Sequence, residues 1–165
     1  MRRIGAGFSV RDLALSVVCA GSYAALVILL APISFLQVQV RVANALMGLV
    51  PILGMPAVYG LALGIFLGNT ASPLGPIDLL SPIPSLIGLF AIYKLRNKSV
   101  LLGLLIYSVV ISLWVAFMLN LVLGAPYWVT LAYVFPGVAI ATVGLGYLLY
   151  RAASKAGLAS AIKSE

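Results

Sequence analysis

The chain has 165 residues, of which 64% are hydrophobic and 8% charged, and its formal net charge is +7. Soluble domains carry about 25% charged residues. With a mean hydropathy of +1.20, there is too little polar surface to cover a globule in water, which excludes an ordinary soluble fold.

The expectation is one all-α integral membrane domain, since no stretch sustains the alternation that a transmembrane barrel needs. The single Cys19 rules out a disulfide framework within the chain, and the lack of histidine removes imidazole metal ligands and Ser-His catalysis.

In chain order, the first predicted span covers residues 13–31, preceded by Arg2, Arg3 and Arg11 and closed by Pro32. A basic start before an apolar run also fits a signal peptide. However, the run is long enough to cross, and Val18 stands before Cys19 where a lipoprotein site needs a small residue, so we read a retained helix. Residues 34–44 are more polar, with Gln37, Gln39, Arg41 and Asn44. Two short apolar segments follow, 43–54 and 57–71, parted at Gly54 and Pro56. Each falls short of the roughly 20 residues of a full crossing. The turn-rich run Ser72-Pro73-Leu74-Gly75-Pro76 leads into a span at 78–93, which carries Pro82 and Pro84 early. Residues 101–123 and 128–150 are full-length spans divided by Gly124-Ala125-Pro126, with Tyr127 and Trp128 placed as interfacial anchors.

This gives a compact bundle of six transmembrane helices with both termini cytoplasmic. Apart from Arg41 and Asp78, every charged residue lies in the first dozen residues, in 94–98 or in 151–165. Placed by the positive-inside rule, these clusters face the cytoplasm of a cell membrane, and of ten basic residues only Arg41 falls outside. Merging the two short segments into a re-entrant hairpin gives four crossings and the same charge arrangement. The positive charge is therefore flanking charge for lipid, not a nucleic-acid surface.

Enzyme chemistry finds little support. No G-x-x-x-x-G-K-[ST] loop exists, because Lys98-Ser99 follows Asn97 and Ile92 occupies the first glycine position. An intramembrane aspartyl protease needs two aspartates near the bilayer middle, and Asp12 lies at a helix end, leaving Asp78 alone.

On the six-span reading, Gln37, Gln39, Arg41, Asn44, Asn69, Asp78 and Asn120 all fall toward the outer face. Buried without partners, each would cost a few kcal/mol, so they must pair with one another, with water or with a ligand. One account is structural: an Arg41–Asp78 ion pair ties the outer loops and Asn69 caps a helix. The other is a ligand site in which these groups, with Trp114 and Tyr133, stack on and bond the edges of a planar heterocycle.

Two small-residue stripes stand out. Ala20 and Ala24 lie one turn apart on the first span, and Gly60, Gly64 and Gly68 draw a smooth line down the third. Such stripes let helix backbones approach closely in lipid.

The run Gln39-Val40-Arg41-Val42-Ala43-Asn44-Ala45-Leu46, then Pro51, Gly60 to Gly68, Asn69 and Ser72-Pro73-Leu74-Gly75-Pro76-Ile77-Asp78 resembles the substrate-binding S components of energy-coupling factor (ECF) transporters. Within them it is most similar to the QueT family of queuosine-precursor transporters. The resemblance implies a subunit that binds a 7-deazaguanine precursor or related flat heterocycle and carries no cofactor. Its partners would be a membrane scaffold subunit, docked at Ala20 and Ala24, and two ATPase subunits that hydrolyse ATP. Substrate-binding residues would be Gln39, Arg41, Asn44, Asn69, Asp78 and Asn120, with Trp114 and Tyr133. This chain departs from the family pattern at Asn44, where a glutamate is expected, which implies a neutral ligand such as the nitrile precursor, a glutamate role taken over by Asp78, or a different substrate altogether. The rival is a stand-alone carrier or channel driven by an ion gradient, with Asp78 as its proton-coupling group.

Overall fold

The structure, a computed structural model, describes residues 9–31 and 41–158. Gln37, Gln39 and the polar loop around them lie outside the described residues, as do Arg2, Arg3, Lys163 and Glu165.

The described residues form an all-α bundle of six rods. Helix α1 (Val10–Leu29) starts at a reciprocal cap: the Ser9 hydroxyl accepts from the Asp12 N–H at 3.1 Å, and the Asp12 carboxylate accepts from the Ser9 N–H at 3.1 Å. Asp12 is thereby accounted for as a helix start. Rod α2 (Val42–Leu53) is wound as a tight 3₁₀ helix to Leu49 before a short α-helical end, and it stops at Gly54, whose φ of 74° suits glycine. Helix α3 covers Met55–Asn69. Rod α4 (Gly75–Leu95) opens with a 3₁₀ stretch that holds Asp78, and Pro82 and Pro84 fall in the first turn of its α-helical part, where a missing N–H costs nothing. Helix α5 (Val100–Leu123) is capped by Ser99 at its start and by left-handed Gly124 at its end. Rod α6 (Tyr127–Lys155) carries Pro136 and then a π turn over Ile140–Leu145.

Rods α1, α4, α5 and α6 are long and apolar enough to cross a membrane, and the chain is a multi-pass membrane protein. Rods α2 and α3 are shorter.

Every rod runs between the same two ends. At one end the Gly54 turn lies against Arg96 and Tyr93, with the Arg96 guanidinium 4.1 Å above the Tyr93 ring. The Ser16 hydroxyl donates to the Pro56 carbonyl at 2.9 Å, which brings the start of α1 and Arg11 to this basic end. At the opposite end Arg41, Asn69 and Asp78 meet.

Close packing comes from small residues, as expected where lipid offers helices no hydrophobic drive to associate. The two stripes seen in the sequence are partners of each other. A methyl added at Gly64 would lie 2.8 Å from the Ala20 carbonyl oxygen and 2.8 Å from Tyr23 Cβ, and Gly60 and Gly68 sit as closely on Ser16 and Val27.

Candidate functional site

At the non-basic end, five rods converge on a polar cluster held almost entirely out of solvent. Arg41 is 7% exposed, Asn44 and Asn69 1%, Asp78 0% and Ser81 4%. Arg41 precedes α2, Asn69 ends α3, and Asp78 with Ser81 lies where the 3₁₀ stretch of α4 passes into its α-helical part. The termini of short helices are suited to this, because their last backbone groups and side chains point past the ladder.

Asn69 is the clamp. Its side-chain amide donates to the Asp78 backbone carbonyl and to Asp78 Oδ1, each at 2.9 Å, while its own oxygen accepts from Arg41 at 3.2 Å. Asp78 Oδ1 also accepts from the Ser81 hydroxyl at 2.5 Å. Ser81 in turn accepts from the Trp114 indole N–H at 2.8 Å, which ties α5 into the cluster. The second carboxylate oxygen, Asp78 Oδ2, faces Arg41 at 3.7 Å and has no hydrogen bond. Next to it the Tyr23 hydroxyl from α1 donates to Asn44 Oδ1 at 2.9 Å and also interacts with Arg41.

Taking a carboxylate and a guanidinium out of water costs several kcal/mol per ion. Here the cost is offset by mutual attraction and by the Asn69, Ser81 and Tyr23 bonds. The pair carries zero net charge, and no other ionisable carboxylate or ammonium group joins it among the described residues. The expected Arg41–Asp78 ion pair therefore exists, within a wider network.

Of the residues singled out in the sequence, Arg41, Asn44, Asn69, Asp78 and Trp114 come together. Asn120 does not join them: it is exposed and donates to the Ala125 carbonyl at 2.7 Å, closing the α5–α6 turn. Tyr133 is 61% exposed on the outside of α6. Gln39 lies outside the described residues. Ala20 and Ala24 are 3% and 9% exposed and are covered by α3 within the chain itself. Two members of the network, Tyr23 and Ser81, were not singled out. Ser81 follows Asp78 at i+3, a spacing that puts both on one side of a turn, and this was the signal available for it.

No group of three His, Cys, Asp or Glu that would hold a metal ion occurs among the described residues. Two hydroxyls, an indole, two amides and one ion pair are equipped to bind and orient a polar, flat molecule. A family model described as QueT transporter matches residues 13–155. No curated protein and no solved structure matches the chain.

Proposed function

The chain belongs to the QueT transporter family, its role is transport of a queuosine-precursor-like small molecule rather than catalysis, and from that premise we propose that it is the substrate-binding subunit of an ATP-driven importer. Membership brings ECF-type partner subunits in general. In this reading they are a membrane scaffold subunit and two ATPases, and the substrate is a 7-deazaguanine precursor taken from outside the cell.

The observation that carries the reading is the buried Arg41–Asn69–Asp78 network at the end opposite the basic clusters. All six rods cross the membrane in this proposal, with both termini cytoplasmic and the network facing outward. At 1.5 Å per residue, the 15 residues of α3 reach only about 22 Å, against a hydrocarbon core of about 30 Å. Trp114 and Met118 of α5 stand at the level of Ser81, and α5 continues to Leu123. The network therefore sits below the ends of the long helices, at a depth where a ligand arriving from outside would meet it.

Purified chain in liposomes tests the subunit against the stand-alone carrier. Tight binding of a 7-deazaguanine without flux supports the subunit, and flux without any ATPase partner rejects it. In the carrier reading Asp78 moves a proton. The carboxylate is already engaged by Arg41, Asn69 and Ser81, as a fixed member of the network.

Zero net charge in the network favours a neutral ligand. Asn44→Glu adds a buried negative charge beside Tyr23 and is expected to shift preference by about tenfold or more from the cyano to the aminomethyl precursor, as read by competition binding. An unchanged preference rejects this role for position 44.

The docking surface for the scaffold moves to a different face of α1. Ala20 and Ala24 are covered by α3, whereas Gly21 and Ala25 repeat the same spacing on the outside, both exposed, and a methyl at Gly21 would meet nothing within 4 Å. Gly21→Leu is expected to keep fold and ligand binding and to lose co-purification with the partner subunits. Ala20→Leu is expected to disrupt the fold itself. Assembly of Gly21→Leu at the unaltered level would show that the scaffold docks elsewhere.

A further inference from the structure

Within the network, most hydrogen-bonding capacity is already engaged by the protein. Both N–H bonds of the Asn69 amide go to Asp78, and its oxygen accepts from Arg41. Asn44 Oδ1 holds the Tyr23 hydroxyl, and the Ser81 hydroxyl donates to Asp78 Oδ1 while accepting from Trp114. Asn69 and Ser81 are thus fixtures that set the carboxylate's rotamer, not readers of a ligand.

Asp78 Oδ2 is different. It belongs to a side chain with 0% exposure, yet it accepts no hydrogen bond. Its neighbour Arg41 is 3.7 Å away, beyond the range of a hydrogen bond. A buried carboxylate oxygen without a donor is uncommon in proteins and calls for a partner, a water molecule or a ligand group. The other carboxylate oxygen accepts two hydrogen bonds, from Asn69 and Ser81, so the orientation of Oδ2 toward the guanidinium is fixed from behind.

We infer that Arg41 and Asp78 Oδ2 together read the lactam edge of the ligand. The ring carbonyl accepts from the guanidinium, and the adjacent ring N–H donates to Oδ2. A cyclic amide presents an acceptor and a donor side by side, in the same order as the cation and the anion meet it. The edge is neutral, so it satisfies both charges without leaving either one uncompensated. An amidine edge, with an amine where the carbonyl stands, would put a donor against the guanidinium. An N-alkylated lactam would put a methyl against Oδ2. Specificity for an oxo-pyrimidine ring therefore lies in this one pair, and Asn69, Ser81 and Trp114 are positioning residues behind it.

This assignment rests on the proposed substrate-binding role, and ligand analogues on the unaltered protein separate the two. Full-length chain in nanodiscs is titrated by calorimetry with 7-deazaguanine, its N1-methyl form, and the analogue bearing an amine in place of the ring carbonyl. The parent is expected to bind, and each analogue to bind about 100-fold more weakly, the scale of one lost hydrogen bond to a charged group. If the parent binds and either analogue stays within about threefold of it, the edge assignment is overturned while the transport reading stands. If the parent fails to bind, both fall. Trp114→Phe removes the bond to Ser81 without touching the ligand edge, so it is expected to weaken the parent while leaving the parent-to-analogue ratio intact. A collapse of that ratio would make Trp114 a reader and overturn its positioning role.

Discussion

Asp78→Ala is expected to abolish ligand binding and to destabilise the protein by about 3–5 kcal/mol, the range for removing one member of a buried ion pair. The cost is less the loss of attraction than what is left behind. Arg41 is 7% exposed and would keep its buried charge after losing the carboxylate that faces it, and the Asn69 amide and the Ser81 hydroxyl would each lose an acceptor. A second substitution separates stability from function. In Arg41→Met with Asp78→Ala no buried charge remains, so most of the lost stability should return, since apolar replacement of a buried pair is often neutral. Binding should not return, because neither charged group faces the ligand. Thermal unfolding in detergent and calorimetric titration read the two effects. Wild-type stability in the single variant would mean that water reaches Arg41 freely, and the network would lose its standing as a closed site.

The sequence carried the ends of this molecule better than its middle. Charge clusters at 94–98 and 151–165 marked one end, and the isolated Arg41 and Asp78 marked the other, because an ionisable residue between apolar runs has few places to go in a membrane. That the two would pair was one of two open readings; the structure shows the pair, and it leaves one carboxylate oxygen without a donor. Stripes of small residues were visible too, but such a stripe says only that something approaches closely, not what. Ala20 and Ala24 read as a docking face, while in the fold the glycine stripe lies along this side of α1, with Gly64 directly on Ala20. Asn120 shows the limit for single amides. A polar residue near a helix end serves a site or the turn, and here it closes the turn through Ala125. Tyr23 and Ser81 were harder still. A hydroxyl in an apolar helix usually bonds its own backbone or packs, and only the fold gives these two their side-chain partners, Asn44 for Tyr23 and Asp78 for Ser81.

Gly64→Ala is expected to destabilise the protein by about 1–3 kcal/mol, the usual cost of an extra methyl in a filled interface, and to weaken ligand binding as well. The new methyl would lie 2.8 Å from the Ala20 carbonyl oxygen, 2.8 Å from Tyr23 Cβ and 3.1 Å from Ala20 Cα. Two of these are backbone atoms, so no side-chain rotation relieves the contact, and α1 must move away from α3 as a body. Tyr23 moves with it, and its hydroxyl leaves Asn44 and Arg41, which loosens the network one turn above the substitution. Gly21→Ala makes the same chemical change on the open side of α1, where nothing lies within 4 Å. It should be neutral or stabilising, since alanine is the better helix residue by about 1 kcal/mol. Unfolding temperatures and ligand affinities of the two variants, measured side by side, test the seam directly. If Gly64→Ala were tolerated as well as Gly21→Ala, α1 and α3 would not touch along this stripe. The Tyr23 hydroxyl would then have no fixed place in the network, and the scaffold-docking face would return to Ala20 and Ala24.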